Sequence, residues 1–207
     1  MKFIDLSQTI DPQTPTYPGE TPTRLWRERE LAADGHVAYR LESGFHVATH
    51  IDMPMHFVDD NRTCADFAPD RFAGRGVVLD VRGENPIRHK SHYDGLIRRD
   101  DVVLLYTDHD ALFNSNPQKY YTQHPIVDMD FVANLAEKQI KILGTDCCSP
   151  DYAPYDAHKV LLSQGIFIME NLTNLASLLD LEEFEVFAFP LKIAAEGSFV
   201  RAVARPF

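Results

Sequence analysis

The hydrophobic and polar positions of the chain predict many short β-strands. Short runs rich in β-branched and apolar residues, bounded by turn-forming residues, are typical of strands that are partly or fully buried. Such runs occupy residues 2–6, 37–43, 76–81, 101–107, 141–146, 166–170, 185–193 and 198–204. Prolines are densest in residues 11–22, which predicts an irregular loop after the first strand.

Helical patterns are fewer than strand patterns. Residues 127–139 combine apolar positions at about helical spacing with Asp128 as an N-cap, residues 155–165 end on Gly165, and residues 170–180 suggest a third helix. Many strands with few helices between them favour a mixed β-sheet or a barrel-like β core flanked by a few helices. The predicted class is α/β (α+β), and a doubly wound parallel sheet is less consistent with this order of elements.

The segment HVATHIDMPMH, residues 46–56, interleaves polar and apolar side chains in an unusual way. A straight strand, at about 3.3 Å per residue, would hold His46 and His50 about 13 Å apart. A helix would bring these two rings together, but it would turn Asp52 and His56 to other faces, and Pro54 would break it. The segment is therefore predicted to curl at a strand end, with a tight turn from His46 to His50 and an extended step to Asp52.

This cluster predicts a metal site. A single histidine on an apolar face is more often a core residue with its hydrogen bonds satisfied than a ligand. Four polar side chains among Phe, Val, Ile and Met are harder to explain in that way, because burying them without partners is costly. Nitrogen and carboxylate donors without thiolate suit Zn²⁺, Mn²⁺ or Fe²⁺ and disfavour a purely structural zinc site.

Length and composition limit the functions that the chain can have. The 207 residues suffice for one sizeable core, so a single domain over 1–207 is expected. A net charge of -11 with scattered basic residues argues against nucleic-acid binding. No apolar run approaches the roughly 20 residues of a membrane span. A first segment without a secretory leader and three cysteines without a disulfide framework are typical of a cytoplasmic protein.

The pattern H-x-x-x-H-x-D-x-P-x-H-F at 46–57 resembles the signature of the cyclase-like metal-dependent hydrolases, the superfamily of bacterial kynurenine formamidase and isatin hydrolase. The likeness extends over the chain, through FIDLSQTI and TYPGETP near the start, GTDCCSPD at 144–151, HKVLLSQGIFIMENLTNL at 158–175 and FPLKIAAEGSFVRAVARP at 189–206. It implies a fold of the swivelling β/β/α type.

The resemblance also implies roles for individual residues. The implied metal ligands are His46, His50, Asp52, His158 and Glu170. Asp52 would bridge two ions, as in the formamidase type, and His56 would be the catalytic residue that transfers protons. From the residues alone, Glu170 could equally cap a helix that starts at ENLTNL. Gly165 would let the chain fold back between His158 and Glu170.

Several further side chains are expected near the substrate. Tyr17, Phe57, Asp146 and Ser149 are candidates for the pocket wall, although Asp146 could simply cap a turn. Two positions depart from the family pattern: Tyr17 stands where kynurenine formamidases tend to carry tryptophan, and Ala48 stands where many members have glycine. The remaining histidines are expected at the surface: His36, His89, His92, His109 and His124.

The expected reaction is the hydrolysis of a small amide, formamide or cyclic amide by a water activated on one or two divalent ions, Zn²⁺ first and Mn²⁺ second. His56 would take the proton of that water and return it to the leaving group. An arylformamidase, which converts N-formylkynurenine to kynurenine and formate, is the family type expected. An isatin-hydrolase-like enzyme or another lactam or lactone hydrolase is the alternative.

Two hypotheses from other classes stay open on the sequence. His50 and Asp52 with the distant His158 match the 2-His-1-carboxylate set of non-haem iron oxygenases, but only Lys159 follows closely as an anchor for an oxoacid. A non-catalytic metal-binding protein would need ligands but no additional base such as His56. The expected partners are a small-molecule substrate and further copies of the chain, as a homodimer or homotetramer, with neither nucleic acid nor membrane.

Overall fold

The structure is a computed structural model that describes residues 2–207. Its strands are β1 (Ile4–Asp5), β2 (Arg24–Arg29), β3 (Ala38–Glu42), β4 (His50–Asp52), β5 (Ala73–Asp80), β6 (Val102–Tyr106), β7 (Ile142–Thr145), β8 (Phe167–Glu170), β9 (Phe184–Phe187), β10 (Gly197–Phe199) and β11 (Val203–Pro206). Its α-helices are α1 (Leu31–Asp34), α2 (Tyr93–Leu96), α3 (Pro117–Thr122), α4 (Met129–Lys138) and α5 (Asp156–Ser163). Within residues 2–207, no helix has the length and apolar character that crossing a membrane requires.

Nine strands form one mixed sheet, in the order β1-β11-β9-β5-β6-β7-β8-β4-β10. The four central strands, from β5 to β8, are parallel. The strands on either side of them pair antiparallel. Parallel neighbours need long crossover connections, which here contain α4 and α5. The mixed sheet with a few flanking helices confirms the predicted fold class.

The core lies on both faces of the parallel strands. All five residues of β6 are buried, as is typical of a central parallel strand that is covered on both sides. Val103 and Leu105 pack in the cluster that includes Phe131 of α4 and Leu161 of α5. Leu104 points to the opposite face and packs in the cluster formed with the antiparallel strands. The sheet therefore holds the carboxyl ends of its strands in fixed positions.

Some predicted elements differ from the structure. The run 185–193 is a strand only as far as Phe187, and the run 198–204 is divided between β10 and β11. The predicted helix at 170–180 is wrong: Glu170 ends β8, and a single 3₁₀ turn covers Leu175–Leu178. Asn171 and Asn174 adopt φ values of 57° and 59°, which interrupt a right-handed helix.

Gly76 of β5 is required by the close approach of another side chain. A Cβ atom at this position would overlap the ring of Phe184. The Phe184 ring is rigid, so it can make room for a Cβ atom only by displacing its neighbours. Gly76→Ala is therefore expected to lower the free energy of unfolding by about 1–3 kcal/mol, the usual cost of overpacking a core. Urea unfolding would measure the change. Gly95→Ala is the matched control, because a Cβ there meets open space, and equal stability of the two variants would contradict the prediction.

Candidate metal centre and active site

The segment that carries the candidate ligands has the curled form predicted from the sequence. Ahead of β4 the chain turns at Ala48, which adopts a left-handed φ of 49°, the conformation that explains why glycine would also suit this position. β4 then extends from His50 to Asp52. A 3₁₀ turn over Pro54–His56 reverses the chain again and returns His56 towards His46.

Strand pairing and a short helix bring the distant residues to the same place. In the antiparallel pairing of β4 with β8, His50 lies opposite Glu170. His158 lies on α5, which precedes β8 in the chain. Gly165 adopts a left-handed φ of 72° in the turn between them, as the sequence predicts. The side chains therefore meet at the carboxyl end of β8, at the edge of the sheet where α/β proteins commonly bind ligands.

The candidate ligands form two groups that share Asp52. One group consists of His46, His50 and Asp52, and the other of Asp52, His158 and Glu170, and within each group the ligand atoms all lie within 4.8 Å of one another. His46 Nδ1 lies 2.9 Å from Asp52 Oδ1. The two oxygens of Glu170 lie 3.3 Å from His50 Nε2 and 3.3 Å from His158 Nε2. This arrangement suits two cations with one carboxylate between them.

Unsatisfied polar atoms at this centre fit a cation. His50, Asp52, His158 and Glu170 are all buried. His50 Nε2, both carboxylate oxygens of Asp52 and Glu170 Oε1 have no hydrogen-bond partner with acceptable geometry. Leaving such groups buried without a partner costs about 1–3 kcal/mol each. Nitrogen and oxygen donors of this kind suit divalent cations such as Zn²⁺ and Mn²⁺, so the residues present fit a metal.

The environment of the centre keeps its carboxylates in the charged form. Burial opposes protonation of His46, but the nearby Asp52 carboxylate outweighs it and raises the pKa of His46 to about 9. Burial likewise opposes protonation of His158, whereas the nearby Asp151 and Glu170 carboxylates raise its pKa to about 10. Burial would raise the pKa of Asp52, but the neighbouring imidazoles hold it well below its usual range. The carboxylates are therefore ionised, and the positive charge that balances them comes either from protonated imidazoles or from a cation bound in place of those protons.

Hydrogen bonds behind two of the rings select the nitrogen that each presents to the centre. His50 Nδ1 lies 2.8 Å from the carbonyl oxygen of Ala48, and His158 Nδ1 lies 2.6 Å from Asp151 Oδ1. Because these oxygens only accept, both Nδ1 atoms donate, and both Nε2 atoms are directed to the centre, where a cation can take the place of a proton. The other oxygen of Asp151 accepts from the backbone N–H of Ala157 at 2.7 Å. Sequence reasoning missed Asp151.

A cavity of about 270 Å³ opens beside the centre. Its walls are partly aromatic and include Tyr17, Phe57, Tyr121 and Tyr155, together with Ser149. Tyr17 packs edge-to-face against Tyr121, with ring centroids 5.6 Å apart. A space of this size with aromatic walls suits a small ring-containing substrate.

Two residues lie elsewhere than expected. Asp146 is not among the residues that line the cavity, because its carboxylate accepts hydrogen bonds from the backbone N–H groups of Thr107 and Asp108 and from the Thr107 hydroxyl. It caps a turn, which was the simpler of the two interpretations. His124, expected at the surface, is buried and lines the cavity.

His56 faces the cavity without belonging to either group of ligands. Its ring stacks on that of His46, with centroids 4.0 Å apart and an angle of 19° between the planes. Phe57 covers another edge of the ring at a centroid distance of 4.3 Å. Burial disfavours the charged imidazolium and lowers the pKa of His56 below its usual value, so the ring is neutral near pH 7 and able to accept a proton.

Comparisons with known proteins agree with this geometry. Residues 4–152 match the model of the Cyclase family. The kynurenine formamidase of Bacillus mycoides (strain KBAB4) is 33% identical over 218 aligned positions, which cover 99% of this chain and 98% of that enzyme. Isatin hydrolase A from Ralstonia solanacearum has the same fold, with a TM-score of 0.86 at 22% identity over 98% of this chain and 91% of that chain. A solved structure described as a potential metal-dependent hydrolase with cyclase activity gives a TM-score of 0.76 at 25% identity, covering 98% and 96% of the two chains.

Proposed function

The chain belongs to the Cyclase family and is a metal-dependent hydrolase of carbon–nitrogen bonds other than peptide bonds, and we propose that its substrate is an N-formyl arylamine of the N-formylkynurenine type. One observation carries the proposal: two groups of metal ligands joined through Asp52 border an aromatic-walled cavity that also contains a neutral histidine. Tyr17 supplies an aromatic edge where kynurenine formamidases tend to carry tryptophan. A cyclic amide such as isatin is the alternative substrate.

The residues of the centre have separate tasks in this reaction. His46, His50 and Asp52 would hold one divalent ion, and Asp52, His158 and Glu170 a second. A bound ion would lower the pKa of a water towards neutrality, and the ion would also polarise the formyl carbonyl. His56 accepts the proton of the attacking water on a ring nitrogen and donates it to the leaving nitrogen as the C–N bond breaks. The products are formate and the free arylamine, whose ring the aromatic walls orient.

We propose Zn²⁺ as the resident ion and Mn²⁺ as the next candidate. Imidazole and carboxylate donors suit both ions, and thiolate, which would favour zinc over manganese, is absent from both groups of ligands in residues 2–207. The second group of ligands, with the additional carboxylate of Glu170, goes beyond the single 2-His-1-carboxylate set of an iron oxygenase. The buried free cysteines are consistent with the cytoplasm as the proposed compartment.

Removal of metal tests the proposed reaction directly. The purified protein should hydrolyse N-formylkynurenine, and a chelator such as EDTA should abolish that activity, because the activated water depends on the ion. Adding Zn²⁺ or Mn²⁺ after removal of the chelator should restore it. A panel of formanilide, isatin and a simple lactone, each with and without chelator, defines the substrate class. Hydrolysis that is indifferent to the chelator would contradict the metal mechanism.

We also propose that a second copy of the chain docks on the ribbon formed by β2 and β3. This ribbon pairs apart from the nine-stranded sheet, and an isolated two-stranded ribbon is marginally stable in water. Its Trp26, Tyr39 and Leu41 side chains are exposed. Its surface carries both signs of charge, as in the Arg40–Glu28 ion pair, so two copies can complement each other.

Light scattering during size-exclusion chromatography should therefore give a dimer or tetramer of the 23.5 kDa chain. The double variant Trp26→Glu, Leu41→Glu should shift the protein to smaller species, because charges on the buried face of an interface are costly to desolvate. Leu96→Glu, at an exposed apolar position outside the ribbon, is the matched control. A monomeric wild-type protein would refute the docking surface.

A further inference from the structure

Glu196 lies behind His46, on the side of the ring away from Asp52. His46 Nε2 is 3.3 Å from Glu196 Oε1, and His46 Nδ1 is 2.9 Å from Asp52 Oδ1. The His46 ring is therefore held between two carboxylates that approach different nitrogens. Glu196 belongs to neither group of ligands, so any effect of its side chain on a bound ion must pass through His46.

Strand pairing fixes Glu196 relative to the ligands. β10 pairs antiparallel with β4, and Gly197 lies opposite Asp52. The backbone carbonyl of Glu196 accepts a hydrogen bond from the N–H of Met53 at 2.9 Å. A Cβ atom at Gly197 would come within 3.1 Å of His46 Cε1, so the glycine provides the room in which the ring rests against β10. The position of the Glu196 carboxylate is thus set by the same ladder that positions the metal ligands.

Two of the three candidate histidine ligands are held in the same way, and His46 is held in the opposite way. His50 and His158 donate from Nδ1 to acceptors behind them and direct Nε2 towards the centre. His46 has the opposite arrangement, since its Nε2 meets an acceptor and its Nδ1 faces Asp52. A carboxylate behind a ligating histidine fixes the tautomer and orientation of the ring and raises the basicity of the ligand nitrogen.

We propose that Glu196 is a positioning residue that holds His46 as the Nε2–H tautomer, so that His46 binds metal through Nδ1 whereas His50 and His158 bind through Nε2. The inference rests on the proposed function only in requiring a divalent ion at this centre. It adds Glu196, which directly precedes β10, to the residues that act at the centre. It also assigns a donor atom to each of the three rings.

Nuclear magnetic resonance of the ¹⁵N-labelled, Zn²⁺-loaded protein tests the donor atoms. Long-range ¹H–¹⁵N correlation spectra distinguish a protonated ring nitrogen from one bound to metal. For His46 the proton is expected on Nε2 and the metal on Nδ1, and the reverse is expected for His50 and His158. Coordination of His46 through Nε2 would overturn the proposal.

Substitutions at Glu196 test its effect on the ion without relying on turnover. In competition with a chromophoric chelator, metal-free Glu196→Ala is expected to bind Zn²⁺ about 10–100-fold more weakly than wild type, the usual cost of losing such a partner. Glu196→Gln keeps an oxygen acceptor in the same place and should recover part of the loss. Glu183→Ala removes an exposed glutamate elsewhere and should bind as wild type does.

Thermal unfolding of the metal-free variants separates folding from binding. Unchanged Zn²⁺ affinity in both folded Glu196 variants would overturn the proposal, as would equal losses in the Gln and Ala variants, because a bulk structural effect predicts no rescue. If Glu196→Ala does not fold, the Zn²⁺ affinity of Glu196→Gln and the spectra of the wild type still test the proposal. Expected tautomers and affinities in a protein that hydrolyses no formamide would sustain this inference while refuting the proposed substrate.

Discussion

Asp52→Ala is expected to remove metal from both groups of ligands and to lower kcat/KM by roughly 10³-fold or more, because the several kcal/mol that metal ions contribute correspond to about tenfold in rate per 1.4 kcal/mol. Asp52 is the only residue common to the two groups found in residues 2–207. Its loss leaves each group with two donors. Metal analysis of the purified variant and a formamide assay measure the two effects.

Thermal unfolding provides a second readout for Asp52. Metal that binds only the folded state stabilises the wild type by about 2.7 kcal/mol at a free concentration of 100 times Kd, whereas the variant should show no rise in Tm on addition of Zn²⁺. Asp146→Asn is the matched control, since Asp146 is equally buried but its carboxylate is bonded to Thr107 and Asp108 outside the cavity. Two equivalents of metal bound to folded Asp52→Ala would contradict the assignment of two groups of ligands that share Asp52.

The turn that gathers His46, His50 and Asp52 could be predicted because its causes are local. A strand rises too far per residue to join the two histidines, and Pro54 excludes a helix, so one curled conformation was left. Ala48 at a φ of 49° is the residue that makes the curl. The central strands could be predicted for a similar reason, since strands buried on both faces are continuous apolar runs, as in the VVLLY of β6.

Residues that act through tertiary contacts could not be found in the same way. Asp151 and Glu196 are two among 31 acidic residues, and no spacing distinguishes them. Asp151 gains its role because His158 of α5 packs against its carboxylate in the folded chain. Glu196 gains its role from the pairing of β10 with β4. His124 matches no motif and was therefore expected at the surface, yet the chain buries it beside the cavity.

The helix expected at 170–180 shows how a tertiary requirement overrides local pattern. The residues ENLTNLASLLD have apolar positions at helical spacing, but Glu170 must end β8 to face His50 across the ladder. Asn171 then takes a left-handed φ, and its amide donates to the carbonyl of Ala48 at 2.8 Å, the same oxygen that holds His50. The break in the helix thus supports the orientation of a ligand.

His56→Ala is expected to keep its metal and to lose about 10²–10⁴-fold in kcat, the usual contribution of a positioned proton-transfer group. His56 belongs to neither group of ligands, so the donors for metal remain complete. It lines the cavity and stacks on His46, so removing the ring leaves a space in the cavity beside His46. Metal analysis and steady-state kinetics on N-formylkynurenine give the two quantities. Loss of metal from this variant would show that His56 supports metal binding instead of proton transfer.

The pH dependence of kcat/KM tests the role of His56 as the base. Burial lowers the pKa of His56 below its usual 6.5, and the base must be neutral to accept a proton, so kcat/KM of the wild type should fall as the pH drops through that lowered pKa. This acid limb should be missing in His56→Ala, and added imidazole should restore part of the activity by filling the vacated space. His92→Ala, at an exposed histidine, should keep both the limb and the rate. If imidazole leaves the variant inactive while metal is fully bound, His56 acts on the substrate by packing and another group must move the proton.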